Sequence, residues 1–176
     1  MTLTEVGIRE CTTDDELFKL LSAELKRLLP YEEGFDLNEF LEETRTIPIG
    51  LRAMAAIYQL DVSLTLDDLG WHFANWHHHG YCEETAWALK ELEAFEQAEL
   101  FAKGYAVAQP WWDKIGELLA EDFSAFVAWY PDSALDRATM PLTRRMWDLQ
   151  EIDYGLLGYW TRHARKYPHK VVQRPP

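Results

Sequence analysis

Cysteine is almost missing from this chain: Cys11 and Cys82 are the only two in 176 residues. They lack CxxC spacing, which excludes a disulfide framework and suits a reducing compartment. Basic residues are also scarce, 17 against 30 acidic, for a net charge of −13. A surface this negative repels nucleic acid and anionic membrane, and attracts proteins that bind them. No apolar run approaches the roughly 18 residues of a membrane span, and residues 1–15 have neither the basic start nor the apolar stretch of a signal peptide. The expectation is a cytoplasmic protein with no membrane contact. Catalytic signatures are missing too: no HExxH, no paired CxxC, no GxSxG elbow and no glycine-rich phosphate loop. No enzymatic activity and no cofactor are expected.

What the chain has in quantity is apolar and aromatic surface, 48% and 14% of residues with eight tryptophans. That composition separates it from disordered acidic chains, and its length fits one compact domain spanning residues 1–176. Helical periodicity dominates. Thr13 and Glu16 have capping-box spacing, followed by Leu17, Leu20, Leu21, Leu25, Leu28 and Leu29 at helical intervals up to Pro30. A second, acidic helix is expected over 36–43, and a third from Pro48 to about Leu60.

Leu60, Val62, Leu64 and Leu66 alternate with polar residues, which predicts either a short strand or an extended connection with Thr65 capping the next helix. That next helix carries Leu66, Leu69, Phe73 and Trp76 inward and stops near Gly80. Residues 83–108 look helical nearly throughout, with a break near Ala94 or Gly104. Pro110 suits the first turn of a helix carrying Trp111, Trp112, Ile115, Leu118 and Leu119. Helices over 123–130 and 142–167 follow, the latter with Leu149, Ile152, Leu156 and Trp160 inward. The predicted fold is all-α, with seven to nine helices and a frayed basic tail over 168–176.

Charge is unevenly laid out. Residues 1–160 hold all 30 carboxylates against 12 basic side chains, whereas the last sixteen hold five basic residues and no acid. Three sets of carboxylates recur at helical spacing: Glu32, Asp36, Glu39 and Glu43; Glu93, Glu96 and Glu99; Asp113, Glu117 and Glu121. Spacings of three and four put neighbours about 5–6 Å apart at Cβ, so each set forms a row of negative charge. DNA also presents its phosphates in rows. The basic residues Arg162, Arg165, Lys166, Lys170 and Arg174 would cap the last helix or dock on the acidic surface.

Histidines form a second cluster. Asp68, His72, Asn75 and His79 follow one stripe of a helix, opposite its apolar face, with His77, His78, Cys82 and Glu83 nearby. A metal site can be drawn from these, but His72 and His77 point in different directions and a break at Gly80 would separate Cys82 and Glu83. A solvated polar face with one or two structural histidines accounts for them better, and no metal is expected. The tryptophans Trp76, Trp87, Trp111, Trp112, Trp147 and Trp160 fall on or beside apolar stripes and are expected in the core.

The run from Leu69 through Gly70, Trp71, His72, Phe73, Ala74, Asn75, Trp76 and His77, then Gly80, Glu83-Glu84-Thr85 and residues 88–101, resembles the bacterial DNA-mimic-protein family. The likeness covers about 40 residues, to about Trp112. It implies a small acidic all-helical domain whose carboxylates imitate DNA phosphates and block a DNA-binding protein. Where that pattern has Gly-Ala in the long helix, this chain has Glu93-Ala94. The expected function is therefore non-enzymatic binding, as a DNA mimic with a basic DNA-binding protein as partner and no direct contact to nucleic acid. The alternative is an immunity or adaptor-type protein using a shaped cleft and its aromatics. A metal-dependent enzyme is the third reading.

Overall fold

In the computed structural model, residues 3–29, 36–153 and 155–173 are described. They form α1 (Glu5–Glu10), α2 (Asp14–Leu28), α3 (Leu37–Thr44), α4 (Ile49–Leu66), α5 (Leu69–Asn75), α6 (His79–Glu91), α7 (Phe95–Ala108), α8 (Trp112–Glu121), α9 (Phe123–Trp129), α10 (Ala134–Asp153) and α11 (Gly158–Lys166). Short 3-10 turns stand at Gln109–Trp111 and Pro168–Lys170. Among the described residues there is no strand, and the all-α expectation holds.

Helix α4 is the axis of the core. Leu51, Ala53, Met54, Ala56, Ile57 and Leu60 are fully buried on it, while Tyr58, Thr65 and Leu66 on its remaining side are exposed. It packs against α6, α5, α2, α10 and α11, while α10 lies along α7 and α5. Helices α8 and α9 pack on each other, joined by Asp122, which closes α8 and caps α9 through the Ser124 N–H at 3.1 Å. The predicted capping box is present: Thr13 Oγ1 accepts from the Glu16 N–H at 3.2 Å, and the Glu16 carboxylate from the Thr13 N–H at 3.2 Å.

Four local expectations are corrected. Residues 60–66 are neither strand nor extended connection, because α4 runs to Leu66. Leu60 and Leu64, one turn apart, are both buried, and the intervening hydroxyls satisfy themselves inside the helix, Ser63 on the Gln59 carbonyl and Thr65 on the Asp61 carbonyl, both at 2.8 Å. Leu66 is left 73% exposed, and the cap of α5 is Asp68, not Thr65. Gly80 does not end a helix; it lies in the first turn of α6, whose N-cap is His78.

The third correction concerns 142–167. The helix starts eight residues before the expected position, running through Pro141, and it breaks at Gly155 (φ 78°), which leaves Ile152 68% exposed while Leu149, Leu156 and Trp160 are buried. The fourth concerns the tail. Pro168–Lys170 form a 3-10 turn and Val171 is fully buried, while His169 and Gln173 are exposed; Arg174 and the two terminal prolines lie outside the described residues. Val171 fits against Gly50, where a Cβ would come within 2.7 Å of its Cγ1.

The break expected near Ala94 is present. The Ala94 N–H reaches the Leu89 carbonyl at 2.8 Å and the Glu93 N–H the Lys90 carbonyl at 3.0 Å, a Schellman closure with Glu93 in the left-handed region at φ 61°. No helix among the described residues is long and apolar enough to cross a membrane.

Candidate functional site

The three carboxylate rows meet different fates. Glu93 and Glu96 are consumed internally. The Glu93 carboxylate accepts from Lys166 Nζ at 2.7 and 2.9 Å and from the Tyr167 hydroxyl at 2.7 Å, bonds that hold its carboxyl below the ordinary glutamate range, Lys166 contributing most. Glu96 pairs with Arg145 at 2.7 Å. Because Glu93 lies in the left-handed turn and not on α7, only Glu96 and Glu99 of this set share a helix, and only Glu99 stays exposed without an ion pair among the described residues.

The C-terminal segment therefore clasps the acidic body. Arg165 reaches Asp14 at 2.8 Å, Lys166 reaches Glu93, and Lys170 reaches Glu91 at 2.6 Å. Arg162 lies over the Tyr159 ring at 4.0 Å. Beneath the clasp His163 is buried, its Nε2 3.7 Å from Glu91, with neither ring nitrogen hydrogen-bonded among the described residues. Burial lowers its pKa, an effect that Glu91 opposes.

The row on α8 stands apart from all of this. Trp112, Ile115 and Leu118 are buried, which turns Asp113, Glu117 and Glu121 outward, all three exposed. Their one ionic contact among the described residues is Lys114 with Glu117, at 3.9 Å. On α3, Phe40, Leu41 and Thr44 are buried and Glu39 and Glu43 exposed. Asp36 is the N-cap of α3, its carboxylate taking the N–H groups of Asn38 at 2.7 Å and Glu39 at 3.2 Å, and these backbone bonds, Glu39 first, lower its pKa. Glu32, which would start this row, lies outside the described residues.

Two histidines contact the starts of the helices that carry these rows. The connector between α5 and α6 places His77 Nε2 at 3.0 Å from the Trp112 carbonyl, at the start of α8, and His78 Nε2 at 3.0 Å from Asn38 Oδ1, at the start of α3. The rings of His77 and His79 both stack on the Trp112 indole, with centroids 4.3 and 4.5 Å away. Burial depresses the His77 pKa, an effect that Asp113 opposes, and Asp36 feels His78 in turn. Adjacent residues of one connector thus touch the first turns of the two helices that carry these rows.

His72 does something else. It is fully buried, with Nδ1 3.0 Å from Ser63 Oγ, and burial lowers its pKa to about 3. The expected polar stripe is therefore corrected: Asp68 and His72 face inward, and only Asn75 and His79 are exposed. No group of three His, Cys, Asp or Glu among the described residues is arranged to hold a metal ion. Cys82 is buried, which pushes its thiol up to about 12 and removes it as a nucleophile at neutral pH. Of the tryptophans expected in the core, Trp112 and Trp160 are buried, while Trp76, Trp87, Trp111 and Trp147 are only partly so.

The helix expected over 123–130 is present as α9. Phe126 and Tyr130 are buried, the Tyr130 hydroxyl donating to Asp68 at 2.7 Å, but Phe123 is 49% and Val127 42% exposed. Their four-residue spacing was legible; which side of the apolar stripe the core would leave uncovered was not. Compared with protein-family models, with curated proteins and with solved structures, the chain matches none.

Proposed function

We propose that this chain is an acidic, non-enzymatic binding protein that engages a basic DNA-binding partner, acting as a DNA mimic. One observation carries the reading: His77 and His78, in the connector between α5 and α6, tie the starts of α3 and α8, two helices whose rows of exposed carboxylates are left without close internal ion pairs. Consecutive members of the α8 row are about 6 Å apart along the helix axis, against 3.4 Å of axis per phosphate on one DNA strand. A single helix thus has roughly half the charge density of a strand, and a second row is needed to approach it. The resemblance noted over residues 69–112 agrees with this reading. At one departure from that pattern, Glu93 holds the left-handed backbone that glycine, the residue of the pattern, adopts freely.

The partner lies in the same compartment as the chain, taken as the cytoplasm, and binding is governed by screening over roughly 8–10 Å at ordinary ionic strength. The test is capture of binding proteins at low salt, followed by competition with duplex DNA. Release of a captured protein by DNA is the expected result. If DNA displaces none of them, the mimic reading fails.

A further inference from the structure

We infer that the uncovered edge of α9 is a docking face for a basic amphipathic helix of the protein partner, an inference that rests on the proposed binding of a basic partner. At 100° per residue, Trp129, Phe126, Tyr130, Phe123 and Val127 span an apolar arc of about 160° on α9. The core covers one side of it, burying Phe126 and Tyr130, and leaves Phe123 and Val127 in solvent. The exposed edge continues into Trp71, whose ring lies 5.8 Å from Phe123, 5.1 Å from Phe126 and 5.7 Å from Tyr130. Trp71 itself is only partly buried. The face is therefore a set of rings fixed from behind, ready to receive apolar side chains or a guanidinium without further ordering.

Charge selects the occupant. Between residues 109 and 136 the chain carries six carboxylates and one lysine. Glu121 and Asp122 immediately precede Phe123, and both are exposed. An acidic or neutral helix laid on Phe123 and Val127 would meet uncompensated negative charge at the rim; one with lysine or arginine flanking its apolar stripe would neutralise it. The same helix would lie against the last turn of the α8 row, so apolar contact and charge reach one ligand from adjoining elements.

The test uses two synthetic 18-residue peptides of leucine, lysine, arginine and alanine with identical composition, one ordered as an amphipathic helix and one scrambled to have no apolar face. Binding to the full chain is read by fluorescence anisotropy at low salt, with sedimentation recording the chain's own association state. The amphipathic peptide should bind at least tenfold more tightly, and Phe123→Ser with Val127→Ser should reduce it to the level of the scrambled one. Phe123→Leu, which keeps the face apolar, should retain the preference, separating loss of contact from loss of fold. Equal binding of the two peptides, or a double variant within twofold of the parent, overturns the inference. So does a dimer that the double variant converts to monomer, since a second copy would then occupy the face. If the scrambled peptide binds equally well and is lost only on Asp113→Asn, Glu117→Gln and Glu121→Gln, the charge reading stands and the docking face falls; if neither peptide binds, both fall.

Discussion

Two acidic regions of this molecule look alike in the sequence and behave oppositely in the fold. Around the α6–α7 junction, Glu91 and Glu93 are bound by Lys170 and Lys166, with Glu96 held by Arg145. On α8, Asp113, Glu117 and Glu121 project outward with one long contact to Lys114. The difference teaches that an acidic row stays open to solvent only where the fold brings little base to it. The tail shows what a basic partner would do to such a row, from inside the same chain.

The most damaging way to test the comparison is to unseat each region in turn. Gly70 sits so close against the Tyr130 ring that a Cβ there would overlap the ring and its hydroxyl. Gly70→Ala must expel Tyr130 from its bond to Asp68 and loosen α9, costing about 3 kcal/mol by overpacking. Gly50→Ala would push Val171 and the Lys170 backbone away and loosen the clasp, costing about 2 kcal/mol. Urea unfolding measures both, and peptide or partner binding should suffer only in the first. Equal loss of binding in the two would mean that the regions are not independent.

Acid should act next, and on the clasp before α8. Burial lowers the pKa of His163 and takes that of His72 to about 3, whereas unfolded histidine protonates below about 6.5. Below that pH the unfolded state binds more protons, so stability falls as pH falls, for His72 by up to about 1.4 kcal/mol per unit between 6.5 and 3. Glu93, with its pKa lowered, adds stability that is complete above the ordinary glutamate range and is lost as pH falls through the depressed value. His163→Leu should flatten part of the slope between pH 7 and 5, measured by urea unfolding at fixed pH steps. An unchanged slope would show that the His163 pKa is not lowered under the clasp.

Charge removal separates the regions most directly. Replacing Asp113, Glu117 and Glu121 by their amides should weaken the low-salt partner complex about tenfold, roughly 1.4 kcal/mol. The same change at Glu93, Glu96 and Glu99 should alter affinity less than twofold while lowering the thermal midpoint, because two of those three already have internal partners. Affinities that fall equally in both variants would place all the carboxylates on one undifferentiated surface. The smallest effect belongs to single lysines: Lys166→Ala should lower the melting midpoint slightly at low salt and not at 1 M salt, whereas Lys114→Ala should leave it unchanged by calorimetry.

How far the sequence could be trusted varied with the range of the interactions involved. The Thr13 cap, the leucine stripe of α2, the proline start before α8 and the inward Ile115 and Leu118 were all readable, because caps and stripes depend on residues three or four apart. Residues 60–66 misled because alternate leucines fit two periods, and only burial of Leu60 with Leu64 chose between them. The start expected at 142 came eight residues late, because a helix packed along α7 and α5 tolerates the one hydrogen bond that Pro141 removes. At the candidate site the spacing of the α8 row was legible, but not its tie to α3, which runs through His77 and His78 to residues 35 and 40 positions away.

By itself, then, the sequence determined an all-helical chain, its acidic rows and its basic end, since composition and short-range periodicity are sufficient for these. Tertiary structure decided which rows stay open. Glu96 meets Arg145 across 49 positions and Glu93 meets Lys166 across 73, and pairings at such separations follow from how helices pack, not from the spacing within any one of them.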